Sequence, residues 1–120
     1  MKDDVAGLVA YVAARLVTKE DFASIYSHDE SKHRMISGTV TATSVGVYDH
    51  DTSEHFSGSG NGASFSLYHH SHSQHVSLNV KGTQFDGYDH DTSSHFSGDV
   101  SGSGVTLYDH QISRHRMFSI

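Results

Sequence analysis

"YDHDTSEHF" at residues 48–56 returns forty residues later as "YDHDTSSHF" at residues 88–96. The skeleton Tyr-x-His-x-x-Ser-x-His also starts at Tyr26, Tyr68 and Tyr108, so the phrase is one of five copies. The copies are spaced by twenty residues, except for twenty-two after Tyr26. Self-similarity at such a period is the signature of a repeated supersecondary unit. Residues 1–120 therefore read as one domain, with a helix and connection over 1–21 and a five-fold β-repeat region over 22–120.

Inside each copy the hydrophobicity alternates with period two. Val45 and Val47 share one parity, and Tyr48, His50 and His55 share the other. With the Tyr as position zero, histidines fall at positions two and seven. Pairing those two histidines across a four-residue turn such as 51–54 sets a register in which Ile25 faces Ile36 and Val47 faces Gly58. The same register sets Leu67 against Leu78, Gly87 against Gly98 and Leu107 against Phe118. Apolar or glycine meets apolar or glycine at each step, as a one-sided sheet requires. The glycine-rich stretches "GSGNG", "KG" and "SGSG" supply the returns between hairpins.

The reading is a mainly β fold: five hairpins of about twenty residues in a ten-strand antiparallel meander. Sheets of that width curl or close, which predicts an up-and-down barrel or a strongly curved sheet. A β-solenoid with one coil per repeat uses the same inward residues and is the alternative. Before the repeats, Val5, Leu8, Val9, Val12 and Leu16 recur at helical spacing, with Asp3 and Asp4 where negative charge suits the helix dipole. They predict an amphipathic helix from about Asp3 to Val17, its apolar face packed on the sheet and covering an opening.

Composition narrows the function. Only 35% of residues are apolar, and neither Trp nor Cys occurs, so disulfides and thiolate metal sites are excluded. The formal charge is −6 with histidine neutral, and full protonation of the twelve histidines carries it to +6. An acidic chain whose only basic stretches are "KHRM" (32–35) and "RHRM" (114–117) does not read as a nucleic-acid binder. The N-terminal apolar run is interrupted by Arg15, is too short to span a bilayer, and carries acids where a secretory signal carries bases. It is expected to belong to the folded domain.

The repeat phrase presents its polar residues on the outer face. Histidines opposed on adjacent strands have Cβ atoms about 4.5 to 5.5 Å apart, close enough to share zinc, nickel or copper. The candidate ligands are His28, His33, His50, His55, His70, His72, His75, His90, His95, His110 and His115. Asp29, Asp51, His72 or Asp91 would be the extra donor at a tip, and the third copy, with His69, His70, His72 and His75, is the richest. The plain alternative is that these rings close the hairpins by packing on Tyr. Tyr48, Tyr68, Tyr88 and Tyr108 are candidates for binding a sugar or a protein ligand. Catalysis is not expected, because Asp49 and His50 point to opposite faces of a strand and cannot form a triad. Arg34 and Arg116 carry charge on the inward parity, which marks either protected edge strands or the place where the two ends meet near the helix. Asp109 is the expected partner of Arg116, and exposed edges would permit a homo-oligomer.

Overall fold

The computed structural model describes residues 1–120. Helix α1 spans Asp3–Thr18, and ten strands follow: β1 Ser24–Ser27, β2 Lys32–Val40, β3 Ser44–Asp49, β4 Glu54–Gly60, β5 Ser64–His69, β6 Gln74–Lys81, β7 Gln84–Asp89, β8 Ser94–Ser101, β9 Gly104–Asp109 and β10 Arg114–Ser119. Each strand pairs antiparallel with its chain neighbours and β1 pairs with β10, giving a closed meander barrel. A solenoid, which stacks successive copies in parallel, does not fit this ladder. Closure also leaves no free edge, so the expected route to an oligomer through edge strands has no strand to use.

The helix runs through the barrel instead of covering an opening. Ten consecutive residues, Val5 to Ala14, are buried on every side of the helix, and α1 touches β1, β2, β6, β8, β9 and β10. The reason lies in the residues off the apolar stripe. They are Ala6, Gly7, Ala10, Tyr11, Ala13 and Ala14, none of them charged, and a helix without a polar face belongs inside. An eight-stranded barrel is filled by its own side chains. Ten strands leave room for a helix, and the small residues let the wall approach it. Charge returns at the ends, where Asp3 and Asp4 open the helix and Arg15 lies in its last turn before the left-handed cap at Lys19.

The hairpin register differs from the sequence expectation by one residue on each strand. His55 faces Tyr48, not His50, and the last ladder pair is Asp49 with Glu54. The turn is therefore residues 50–53, and it closes on Ser53 in the left-handed region at φ 57°. Ser31, Ser73, Ser93 and Ser113 repeat this conformation. The inward aspartate fixes the turn: Asp49, Asp89 and Asp109 each accept, through Oδ1, the N–H two residues ahead at 3.0 Å. Because the slip is one residue on both strands, the two faces are preserved. Val45, Val47, Phe56, Leu67, Phe96 and Leu107 are interior as expected.

Between hairpins the register steps unevenly. Tyr68, Tyr88 and Tyr108 face the serine nine residues after the preceding Tyr, namely Ser57, Ser77 and Ser97. Tyr48 and Tyr26 instead face Ser37 and Ser119, eleven residues after Tyr26 and Tyr108. The two extra residues of the first copy and the closure of the barrel are absorbed at these two seams.

The mouth carrying the five tips is ionic. Arg34 and Arg116 point inward and are buried, as their parity requires, and they lie where the first and last hairpins meet beside the helix. Arg34 bonds Glu30 at 2.7 Å and Asp49 at 3.2 Å. Arg116 contacts Asp109 at 3.2 Å, the backbone oxygen of Met1 at 2.7 Å, and Asp3. These carboxylates hold both guanidinium pKa values above the ordinary arginine range despite burial. No helix is long and apolar enough to cross a membrane.

Candidate metal centre

Four side chains converge inside the ionic mouth from separate parts of the chain. Asp4 lies in the first turn of α1, Glu54 opens β4, His69 ends β5, and His72 sits in the turn between β5 and β6. One donor atom from each lies within 4.8 Å of the others. His72 Nε2 is 3.0 Å from Asp4 Oδ2 and 3.8 Å from Glu54 Oε2. His69 Nε2 is 3.1 Å from Glu54 Oε2 and 3.7 Å from Asp4 Oδ2. A tetrahedral ion with bonds of about 2.0 to 2.1 Å separates its donors by roughly 3.3 Å, and the four measured edges bracket that value.

The cluster also holds two polar atoms with nothing to satisfy them. His69 is 1% exposed, yet its Nε2 and Glu54 Oε2 have no hydrogen-bond partner, because their 3.1 Å approach is badly angled. Burying such groups unpaired costs about 1 to 3 kcal/mol each, a cost that a shared ion would remove. Loading one would require local adjustment. His69 Nδ1 accepts the His72 N–H at 3.3 Å, so in the metal-free state its proton sits on Nε2, and coordination through Nε2 displaces it. The two rings stack at 4.2 Å with 17° between planes and would open for their lone pairs to converge.

Electrostatics divides the two carboxyls. Burial pushes Asp4 up, but the neighbouring Glu54 carboxyl, the hydrogen bond with His72 and the charge of both imidazoles outweigh it, so its pKa falls below the usual carboxylate value. Burial and the adjacent Asp4 push Glu54 up, against opposition from Thr52 and His72. Burial, then His72, pushes His69 down. Like-charged carboxyls sharing a site separate in this way when a cation is absent.

Of the eleven histidines expected as ligands, only His72 joins this group. The other ten are exposed on the outer wall. Six of them pair across the seams between hairpins, not within a tip: the β4–β5 ladder extends to set His55 opposite His70, and His70 N–H donates to His55 O at 3.1 Å. His90 with His75 and His110 with His95 repeat this bond. Tyr26, Tyr48, Tyr68, Tyr88 and Tyr108 are half-buried, each held by two imidazoles with ring centroids 4.6 to 5.0 Å apart. Beside Tyr108 and His115 lies a groove of about 680 Å³ edged by Asn79, Asp86 and Asp99.

Sequence reasoning missed Asp4, taken as a dipole partner, and Glu54, taken as a turn residue. His69 did carry a signal: it replaces the inward aspartate of the second, fourth and fifth copies. No protein-family model, no curated protein and no solved structure matches the chain.

Proposed function

We propose that the chain is a non-enzymatic β-barrel module that holds one divalent transition ion between Asp4, Glu54, His69 and His72. The observation that carries this reading is a buried or half-buried set of two imidazoles and two carboxylates whose donor atoms lie within 4.8 Å of one another, with four imidazole–carboxylate edges of 3.0 to 3.8 Å. Mixed nitrogen and oxygen donors suit zinc, copper(II) or nickel, whereas calcium and magnesium prefer all-oxygen shells. An ion there would tie the helix to β4 and to the third hairpin, a structural role like that of small zinc domains. The separation of Asp49 from His50 across the wall supports the non-enzymatic part.

Calorimetric and thermal-melting titration of the metal-free, tag-free protein with zinc, nickel and copper(II) tests the proposal. One ion per chain is expected, with a stabilisation of about 2.7 kcal/mol when free ion is a hundredfold above Kd. The His69→Gln/His72→Gln variant should lose it, and His50→Gln/His55→Gln should keep it. Absence of a saturable site, or binding unchanged in the His69/His72 variant, overturns the assignment.

The groove beside Tyr108 favours a second reading, a sugar-binding outer wall, because it lines carboxylate, amide and aromatic groups together. A glycan array is the test, with Asp99→Asn expected to abolish any hit. An array without hits, or hits retained by the variant, removes this reading.

A further inference from the structure

The outer wall carries two exposed methionines whose placement neither the fold nor the interior cluster uses. Met35 and Met117 are 47% and 45% exposed, two of only three large apolar side chains left in solvent. Both stand nine residues after a repeat tyrosine, where the middle copies have Ser57, Ser77 and Ser97. At both positions a thioether stands in place of a hydroxyl.

Their neighbours follow from the uneven register. At the three ordinary seams, the second-position histidine faces a seventh-position histidine. At the two seams with the longer step, that partner is carried past, and the residue brought opposite is methionine. His50 N–H donates to Met35 O at 2.8 Å and His28 N–H donates to Met117 O at 2.9 Å, so each methionine is the direct cross-strand partner of a histidine. Each also has a histidine two residues earlier on its own strand and on the same outer face, His33 and His115. Cross-strand Cβ atoms lie about 5 Å apart, and i,i+2 neighbours lie about 6.8 Å apart along a strand. Long side chains such as His and Met reach one another over such spans.

We infer that His33, Met35 and His50, and likewise His115, Met117 and His28, form two equivalent surface sites for a soft monovalent ion, copper(I) or silver(I). Thioether and imidazole donors select such ions over hard cations. Two imidazoles and one thioether complete a three-coordinate shell. One ring of each site is already oriented, since His50 Nε2 meets Ser37 Oγ and His28 Nε2 meets Ser119 Oγ, both at 2.7 Å. With Nε2–H donating to the hydroxyl, Nδ1 presents its lone pair. The sites are independent of the interior cluster, which contains no sulfur.

Protein labelled with ¹³C at the methionine methyls gives three signals, one for each Met, and silver(I) is the redox-stable probe. The Met35 and Met117 signals should shift and saturate together at two equivalents, while buried Met1 stays fixed. The same response is expected in the His69→Gln/His72→Gln variant, which separates this result from the fate of the interior centre. Met35→Leu and Met117→Leu keep size and apolarity, so they should fold, and each should remove one equivalent of tight binding. His50→Gln should weaken the Met35 site at least tenfold and leave Met117 unchanged. Methyl signals that do not move, that move only after the exposed imidazoles are saturated, or that ignore His50→Gln overturn the inference.

Discussion

Gly87 stands where a neighbouring strand and a core ring both press against the wall. A Cβ there would lie 1.9 Å from the Ser77 carbonyl oxygen and 2.5 Å from Phe96 Cζ, and a backbone oxygen inside a ladder cannot yield as a flexible side chain can. Gly87→Ala is expected to destabilise the barrel by about 3 kcal/mol or more, read as a lower urea midpoint at unchanged slope. Tyr11 makes a second prediction at this scale. It is fully buried on the helix, donates to Phe22 O, and receives Arg15 Nη1 at 3.2 Å. Burial raises its pKa above the ordinary 10, with Arg15 in partial opposition. A raised folded-state value means that its contribution is complete below pH 10 and is lost as pH climbs towards the folded value. Absorbance at 295 nm should therefore show one late-ionising tyrosine, its ionisation coinciding with the loss of near-ultraviolet circular dichroism. Six tyrosines titrating as one class would contradict this.

Among the elements, α1 has the most to lose from small changes, because it has no solvent face. Leu8 is wholly buried between helix and wall, and Leu8→Ala should cost about 2 to 5 kcal/mol by denaturant titration. Gly7→Ala adds a Cβ 2.7 Å from Arg34 Cδ. Since Arg34 is pinned by Glu30 and Asp49, a measurable loss of stability is expected even though alanine is the better helix former. The helix and its span were legible from the spacing of Val5, Leu8, Val9, Val12 and Leu16. Its interior position was written in Ala6, Ala10, Ala13 and Ala14, whose meaning depends on the strand count as much as on the helix. The hairpins were legible by period. Their register was not fixed by apolar matching, because a slip of one residue on each strand preserves both faces. The left-handed serine and the inward aspartate decide it. The interior centre was the least legible part, since Asp4, Glu54, His69 and His72 come together only once the helix is inside.

At the scale of the whole molecule, closure rests on the shortest ladder. β1 has four residues and meets β10 in two registered pairs, Tyr26 with Ser119 and Ser27 with Phe118. The other seams run over four to six pairs. Native-state hydrogen exchange should find the amides of this seam, His28 N–H among them, opening at lower free energy than those of β5 to β8. Uniform protection around the barrel would contradict the expectation. Joining residues more than ninety positions apart also makes closure a high-contact-order step, so refolding in the millisecond-to-second range is expected by stopped flow. The path of the chain has one more consequence. One helix and ten strands make an odd number of passes through the wall and its bore. Residue 1 consequently sits among Asp109, Gln111 and Arg116 at the tip mouth, while Ile120 is bonded to Ser103 at the other. A pull applied to these two residues acts along the barrel axis and loads neighbouring strands in shear, many hydrogen bonds at once. A pull between residues 62 and 102, both at the far mouth, peels strands apart bond by bond. The same fold should thus resist tension strongly along one line and weakly across another.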